Sequence, residues 1–205
     1  VNKWYTLHEE IAPEEYVIAN DIDFFVEDDY QISHVEMRDK QVFMSKKSVT
    51  GEDELPGATI SVIDSEGNVT DEWVSGTEEH PISGLKVGNT YTLHEEVAPE
   101  GYVIANDVEF TVLDDFQVQR VEMKDKQLFV TKKSVTGDEE LQGASLKVVK
   151  GETSDGEVMD EWVSGTEPHP VSNLKVGETY TLVEVIAPKG YAIATSIVFT
   201  VEDDF

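Results

Sequence analysis

Short runs in which apolar and polar side chains alternate make up most of this chain. A period of two is the mark of a strand with one buried face. In the middle of the sequence such runs fall at residues 42–47, 58–63, 69–75, 82–86, 91–96, 108–113 and 118–124. Each is rich in Val, Ile, Thr, Phe or Tyr. Turn formers separate them, among them Asp53, Pro56 and Gly57, then Asp64 to Gly67, Gly88-Asn89, Pro99 to Gly101, and Asp114-Asp115. No segment holds a 3.6-residue apolar period long enough for a helix. The pattern predicts an all-β fold, and two packed antiparallel sheets are the expected way to bury about seven to nine such strands.

The same order of elements recurs. A twelve-residue string begins at Tyr5 (YTLHEEIAPEEY), Tyr91 (YTLHEEVAPEGY) and Tyr180 (YTLVEVIAPKGY), at spacings of 86 and 89 residues. VTGEDELPGA at Val49 returns as VTGDEELQGA at Val135, and VEMRDKQVFMSKK at Val35 returns as VEMKDKQLFVTKK at Val121. Markers sharing one period mean tandem modules. Residues 1–40 form the C-terminal part of a module, residues 41–126 a complete one, and residues 127–205 one that lacks its last strand. The chain therefore reads as a length of a longer array, or as one whose ends are completed by neighbours. The period is that of a small independent domain, so separate beads on a string are expected.

Strand parity singles out a few ionisable residues. The inward row of the first strand is Val42, Met44, then Lys46; that of the fifth is Tyr91, Leu93, then Glu95; that of the last is Val121, Met123, then Asp125. The other modules repeat parts of this set. Module three has Lys132 and Glu184 without the acid, and the first has Glu9 and Asp39 without the lysine. Lys47, Glu96 and Lys124 have the opposite parity and should face water. Charges on inward faces are costly unless paired. Three readings stand. The strands end there with the charges in solvent, or the three form a buried ion-pair cluster, or they react. In the third reading a lysine amine attacks the aspartate carboxyl and water leaves. Desolvation favours the neutral forms of both groups, the Glu carries the proton, and enforced proximity replaces a bimolecular encounter.

Composition narrows the setting. Apolar content of 39% with 3 Trp, 7 Tyr and 8 Phe suffices for small cores. A net charge of −28 argues against nucleic acid as a partner, and suits an exported, self-repelling protein. There is no long apolar run, hence no membrane span in this stretch. Cysteine is absent, so disulfides cannot staple these small domains. No EF-hand-type loop is present, and no two histidines stand at ligand spacing within a module, so no metal or other cofactor is expected. Trp4, Trp73 and Trp162 read as core or sheet-face aromatics rather than carbohydrate platforms. Asn68-Val-Thr is a glycosylation sequon by pattern. Neither a Ser-His-Asp nor a Cys-His arrangement is present, so turnover of an external substrate is not expected.

The box YTLHEEVAPEGY resembles the Y-x-L-x-E-x-x-A-P-x-G-Y box of collagen-adhesin B-type (Cna B) and SpaA-type pilin repeats of Gram-positive surface proteins. FMSKK followed by Leu-Pro-Gly-Ala, DEWVS, and VEMKD as a closing strand extend the resemblance over the whole chain. It implies prealbumin-like sandwiches in which a Lys–Asn or Lys–Asp isopeptide bond joins first and last strands, promoted by the Glu of the box. Carried over by motif, that is Lys46, Glu95 and Asp125 in the complete module, Lys132 and Glu184 in the third, and Glu9 and Asp39 in the first. The acceptor here is Asp, so water would leave rather than ammonia. Glu15 replaces the Gly of the box in the first copy, which is expected to distort that loop. No sortase sorting motif and no clear pilin-motif lysine are present.

Two function classes follow. One is a structural stalk or fibre at an extracellular, wall-attached surface, with neighbouring modules as its partners. The other is an adhesin whose repeats grip host matrix or glycan. The near identity of modules two and three favours the stalk, since recognition concentrates in divergent loops. For the open third module a closing strand supplied in cis by a longer chain is favoured. The alternative is head-to-tail assembly, in which the strand at residues 31–40 of one chain enters module three of the next and brings Asp39 to Lys132, at the cost of displacing residues 1–28.

Overall fold

A computed structural model describes residues 1–28 and 31–203. It contains strands and no helix, so none is long and apolar enough to cross a membrane among the described residues. The strands are β1 (Lys3–Leu7), β2 (Ile22–Val26), β3 (Val42–Ser48), β4 (Thr59–Asp64), β5 (Val69–Val74), β6 (His80–Pro81), β7 (Thr90–Val97) and β8 (Val108–Thr111). They continue with β9 (Gln119–Asp125), β10 (Leu128–Val130), β11 (Ser145–Lys150), β12 (Val158–Val163), β13 (His169–Val171), β14 (Thr179–Ile186) and β15 (Ile197–Thr200).

The middle module is a sandwich of two sheets. One is antiparallel, in the order β5-β4-β7-β8, and the other runs β6-β3-β9. The second sheet departs from the all-antiparallel expectation, because β3 and β9 pair in parallel, with Val42 opposite Gln119 and Ser48 opposite Asp125. Parallel neighbours need a long crossover, and the whole intervening module supplies it. The inner faces interdigitate around Val42, Met44, Ile60, Val62, Leu93, Val121 and Met123, all buried. Ile82 is also buried in this core, but residues 82–86 are not the strand that their pattern predicts. The strand there is only β6, and Leu85 to Val87 bond outside the module instead.

Module three repeats this plan. Its four-stranded sheet runs β12-β11-β14-β15, and β10 pairs with β13. The first segment contributes β1 and β2, paired antiparallel as β7 pairs with β8. Residues 31–39 have the sequence of β9 but are not a strand, having no parallel partner among the described residues. Glu15 does not distort its loop. Its φ of 67° keeps the left-handed backbone that Gly101 (82°) and Gly190 (91°) adopt in the other copies.

The modules are not free beads. Ile18 donates to the Leu85 carbonyl at 2.9 Å, and Val87 donates back to the Ile18 carbonyl at 3.1 Å. Ile104 repeats this with Leu174 and Val176, at 2.7 and 3.2 Å. Val17 is buried in the core of the middle module, and Val103 in that of the third. The first segment and the middle module each thus lend one apolar side chain and a short parallel bridge to the next module.

Candidate functional site

Lys46, Glu95 and Asp125 come from three different strands and meet inside the middle module. Parity puts all three inward, at 1%, 1% and 0% exposure. Lys46 sits on β3 beside Met123 of its parallel neighbour β9, and Asp125 lies two residues further along that neighbour, on the same face. A lysine stem spans that offset. Glu95 arrives from the other sheet by way of a bulge. Ile60 of β4 faces Glu95 while Thr59 faces Val97, so Glu96 is the extra residue. A bulge re-aims the side chain beside it. The same device stands in β14, where Leu146 faces Glu184 and Ser145 faces Ile186.

The Lys46 Nζ donates to Asp125 Oδ1 and lies 2.8 Å from Glu95 Oε1. Glu95 Oε2 is occupied by the Ala105 N–H, at 2.7 Å. Two buried oxygens of the site, Glu95 Oε1 and Asp125 Oδ2, have no hydrogen-bond partner. One added proton removes the difficulty, because a carboxylic acid donates to a carboxylate. The environment of Asp125 favours that state. Burial pushes the Asp125 pKa from 3.8 up to about 7; Lys46 opposes the rise and Glu95 reinforces it. Two carboxyls and one ammonium enclosed together would otherwise hold an uncompensated negative charge.

Two elements hold this site that strand parity did not single out. Glu54, in the loop after β3, accepts the Lys46 backbone N–H at 2.9 Å and the Ser45 hydroxyl at 2.5 Å. Leu55 donates to the Lys46 carbonyl at 2.6 Å. Both backbone groups of the lysine are therefore pinned by one loop. In module three Glu140 and Leu141 do the same for Lys132, at 2.9 and 2.6 Å. The sequence signal was available: a Glu eight residues after each of these lysines, inside the repeated GEDEL and GDEEL strings.

The partial sets are placed as follows. Lys132 Nζ lies 3.1 Å from Glu184 Oε1, and Glu184 Oε2 accepts the Ala194 N–H at 2.6 Å. Both line a cavity of about 190 Å³ beside Leu146 and Leu182. Glu9 accepts the Ala19 N–H at 2.8 Å, and its charge, after burial, raises the Asp39 pKa. Lys132 and Asp39 are not brought together within the chain. Among the described residues no group of three or more His, Asp or Glu is arranged to hold a metal ion. His80 and His169 stack on Trp73 and Trp162 with ring centroids 4.1 Å apart, whereas Trp4 is exposed.

A family model described as the SpaA prealbumin-like fold domain matches residues 40–127 and again residues 126–205. The chain belongs to the SpaA prealbumin-like fold family. Its two adjacent matches make this a tandem array of SpaA-type repeats. Solved structures similar to it include a Bacillus anthracis protein named TIE, at 20% identity and a TM-score of 0.34, covering 98% of this chain and 40% of that one. A streptococcal ancillary pilin is similar at 19% identity and a TM-score of 0.39, covering 100% of this chain and 72% of that one. The shaft pilin SpaA of Lactobacillus rhamnosus GG is similar at 16% identity and a TM-score of 0.32, covering 80% of this chain and 93% of that one. The SpaA-type array therefore spans well under half the length of the Bacillus anthracis protein. Among curated proteins none matches it.

Proposed function

We propose that this SpaA-type array is a load-bearing stalk or shaft segment of a Gram-positive cell-surface fibre, stapled by a Lys46–Asp125 isopeptide bond. The observation that supports this reading is the burial of Lys46, Glu95 and Asp125 against one another, with the Asp125 pKa raised to about 7 by its surroundings. The neutral carboxyl is the electrophile. The Lys46 ammonium first gives a proton to the Glu95 carboxylate, the freed amine attacks Asp125 Cγ, the N–C bond forms, and the C–Oδ2 bond breaks. Glu95 carries the proton from nitrogen to the departing hydroxyl, which leaves as water. Proximity and burial supply the driving geometry, as expected for an intramolecular condensation. The reaction occurs once, in the middle module, and joins two side chains of the protein itself. The charge of −28 keeps an exposed, extended array soluble.

The test is the intact mass of the folded chain. It should lie below the sequence mass by one water, and Lys46→Ala or Asp125→Ala should each restore that water. A folded wild-type chain at full sequence mass rejects the staple and leaves a buried ion pair.

A further inference from the structure

The cross-linking site of the middle module is not held by that module alone. Glu95 presents one carboxyl oxygen to Lys46, and its other oxygen is fixed by the Ala105 N–H. Ala105 belongs to the segment 102–106, whose alternate residues face different modules. Ala105 packs in the middle core and Val103 in the third. Between them Ile104 exchanges two backbone hydrogen bonds with Leu174 and Val176. The other end of the site is tied to the same knot. Val103 donates to the carbonyl of Lys126 at 3.1 Å, and Lys126 follows Asp125 directly. The Lys126 ammonium reaches over to the Glu202 carbonyl, Asn106 donates to Asp203 at 2.9 Å, and Gly101 donates to the Ser172 hydroxyl at 2.9 Å.

The preceding joint has the same wiring. Ala19 fixes Glu9, Ile18 bonds to Leu85 and Val87, and Val17 donates to the Lys40 carbonyl. The Lys40 ammonium bonds to the Leu113 carbonyl at 2.8 Å and Asp115 at 2.7 Å, and Asn20 to Asp114 at 3.1 Å. Module three provides the contrast. Ala194 still donates to Glu184, but its segment docks on nothing among the described residues, and Ile193 is 62% exposed.

We propose that docking of each following module positions the cross-linking site of the one before it, so that the Lys46–Asp125 bond forms only after residues 127–203 have folded and engaged. This rests on the isopeptide reading and adds a sequence to it. An undocked segment can still place its N–H on the carboxylate, as Ala194 does. That segment and the Asp125 strand end then lack outer anchors, and a misplacement of about 1 Å costs such a reaction roughly a hundredfold. Residues 101, 104, 106 and 126 are positioning residues in this sense. None of them touches the reacting atoms.

The experiment follows water loss by intact mass after refolding of the full chain, with circular dichroism to verify folding. Wild type is compared with Lys126→Ala/Asn106→Ala, and with Lys124→Ala as a control on the water-facing side of the same strand. Ser172→Ala breaks the joint from the module-three side and guards against a double variant that fails to fold. Joint variants should fold and lose water at least about tenfold more slowly, while Lys124→Ala keeps the wild-type rate. Joint variants that cross-link at the wild-type rate overturn the coupling alone. A wild-type chain that never loses water overturns the isopeptide reading and the coupling with it.

Discussion

Two lysine–aspartate pairs in this chain make opposite chemical objects, and the difference lies in what surrounds them. Lys40, itself buried, bonds to the solvent-accessible Asp115, where the lysine and the Gln117 N–H hold the Asp115 carboxyl below its ordinary range. It stays an anion and the pair stays ionic. Asp125 is buried and its pKa is raised to about 7, so it can be a neutral acid. Lys40→Ala should therefore leave the number of waters lost unchanged, and Lys46→Ala should abolish the loss. Before the bond forms, the raised Asp125 pKa also ties stability to pH. The folded state holds a proton that the unfolded chain releases near 3.8, so the contribution is present at low pH and lost as pH rises through about 7. Freshly folded chain should cross-link faster at about pH 6 than at about pH 9, because ionisation removes the electrophile. A rate that climbs steadily across that interval would mean amine deprotonation, not carboxyl protonation, limits the step. Glu95→Gln keeps the acceptor for Ala105 but cannot relay a proton. It should slow water loss by about a hundredfold or more.

Elements place these residues, and here sequence and structure can be set side by side. Parity alone aligned Lys46, Glu95 and Asp125 behind their apolar rows, because period two is a local property that survives folding. The parallel pairing of β3 with β9 was not legible, since alternation is the same in parallel and antiparallel strands. The bulge at Glu96 was equally hidden, because it appears only when β4 and β7 are laid together. Residues 82–86 look like a strand by composition, yet Ile82 bonds to Val42 of its own module while the Leu85 carbonyl accepts from Ile18 of the preceding one, a partner that no local pattern announces. Glu54 was readable as a repeated residue but not as a clamp, because its role depends on a loop folding back onto β3. Removing that clamp gives a prediction at this scale. Glu54→Ala strips the Lys46 N–H of its acceptor and should cost about 1–3 kcal/mol of stability before cross-linking, visible as a lower midpoint in urea. It should also slow the bond, and Glu54→Gln should recover part of both effects. Equal midpoints for Glu54→Ala and wild type, each measured on Lys46→Ala background, would show the loop holds β3 without it.

At the scale of the molecule, the proposed staple would decide how force and heat pass through the array. The chain enters the middle module just before Lys46 and leaves just after Asp125. A bond between them shunts tension from β3 to β9 and takes the 79 residues of intervening sequence separation out of the load path. Heating feels the same constraint, because the unfolded chain keeps a closed loop. By the chain-entropy relation for cross-links, that is worth on the order of 4 kcal/mol. For a domain of this size such a change corresponds to on the order of 20 °C in melting temperature. Lys46→Ala should melt lower by that order and become sensitive to protease. Pulling separates this entropic effect from the mechanical one. In wild type the middle module should release no length before the chain breaks or detaches. In Lys46→Ala the freed segment should add a step of roughly 270 Å at about 3.4 Å per residue. Wild-type traces that contain this step would show that tension runs through the sheets rather than through a covalent tie, and the array would then be a chain of extensible domains.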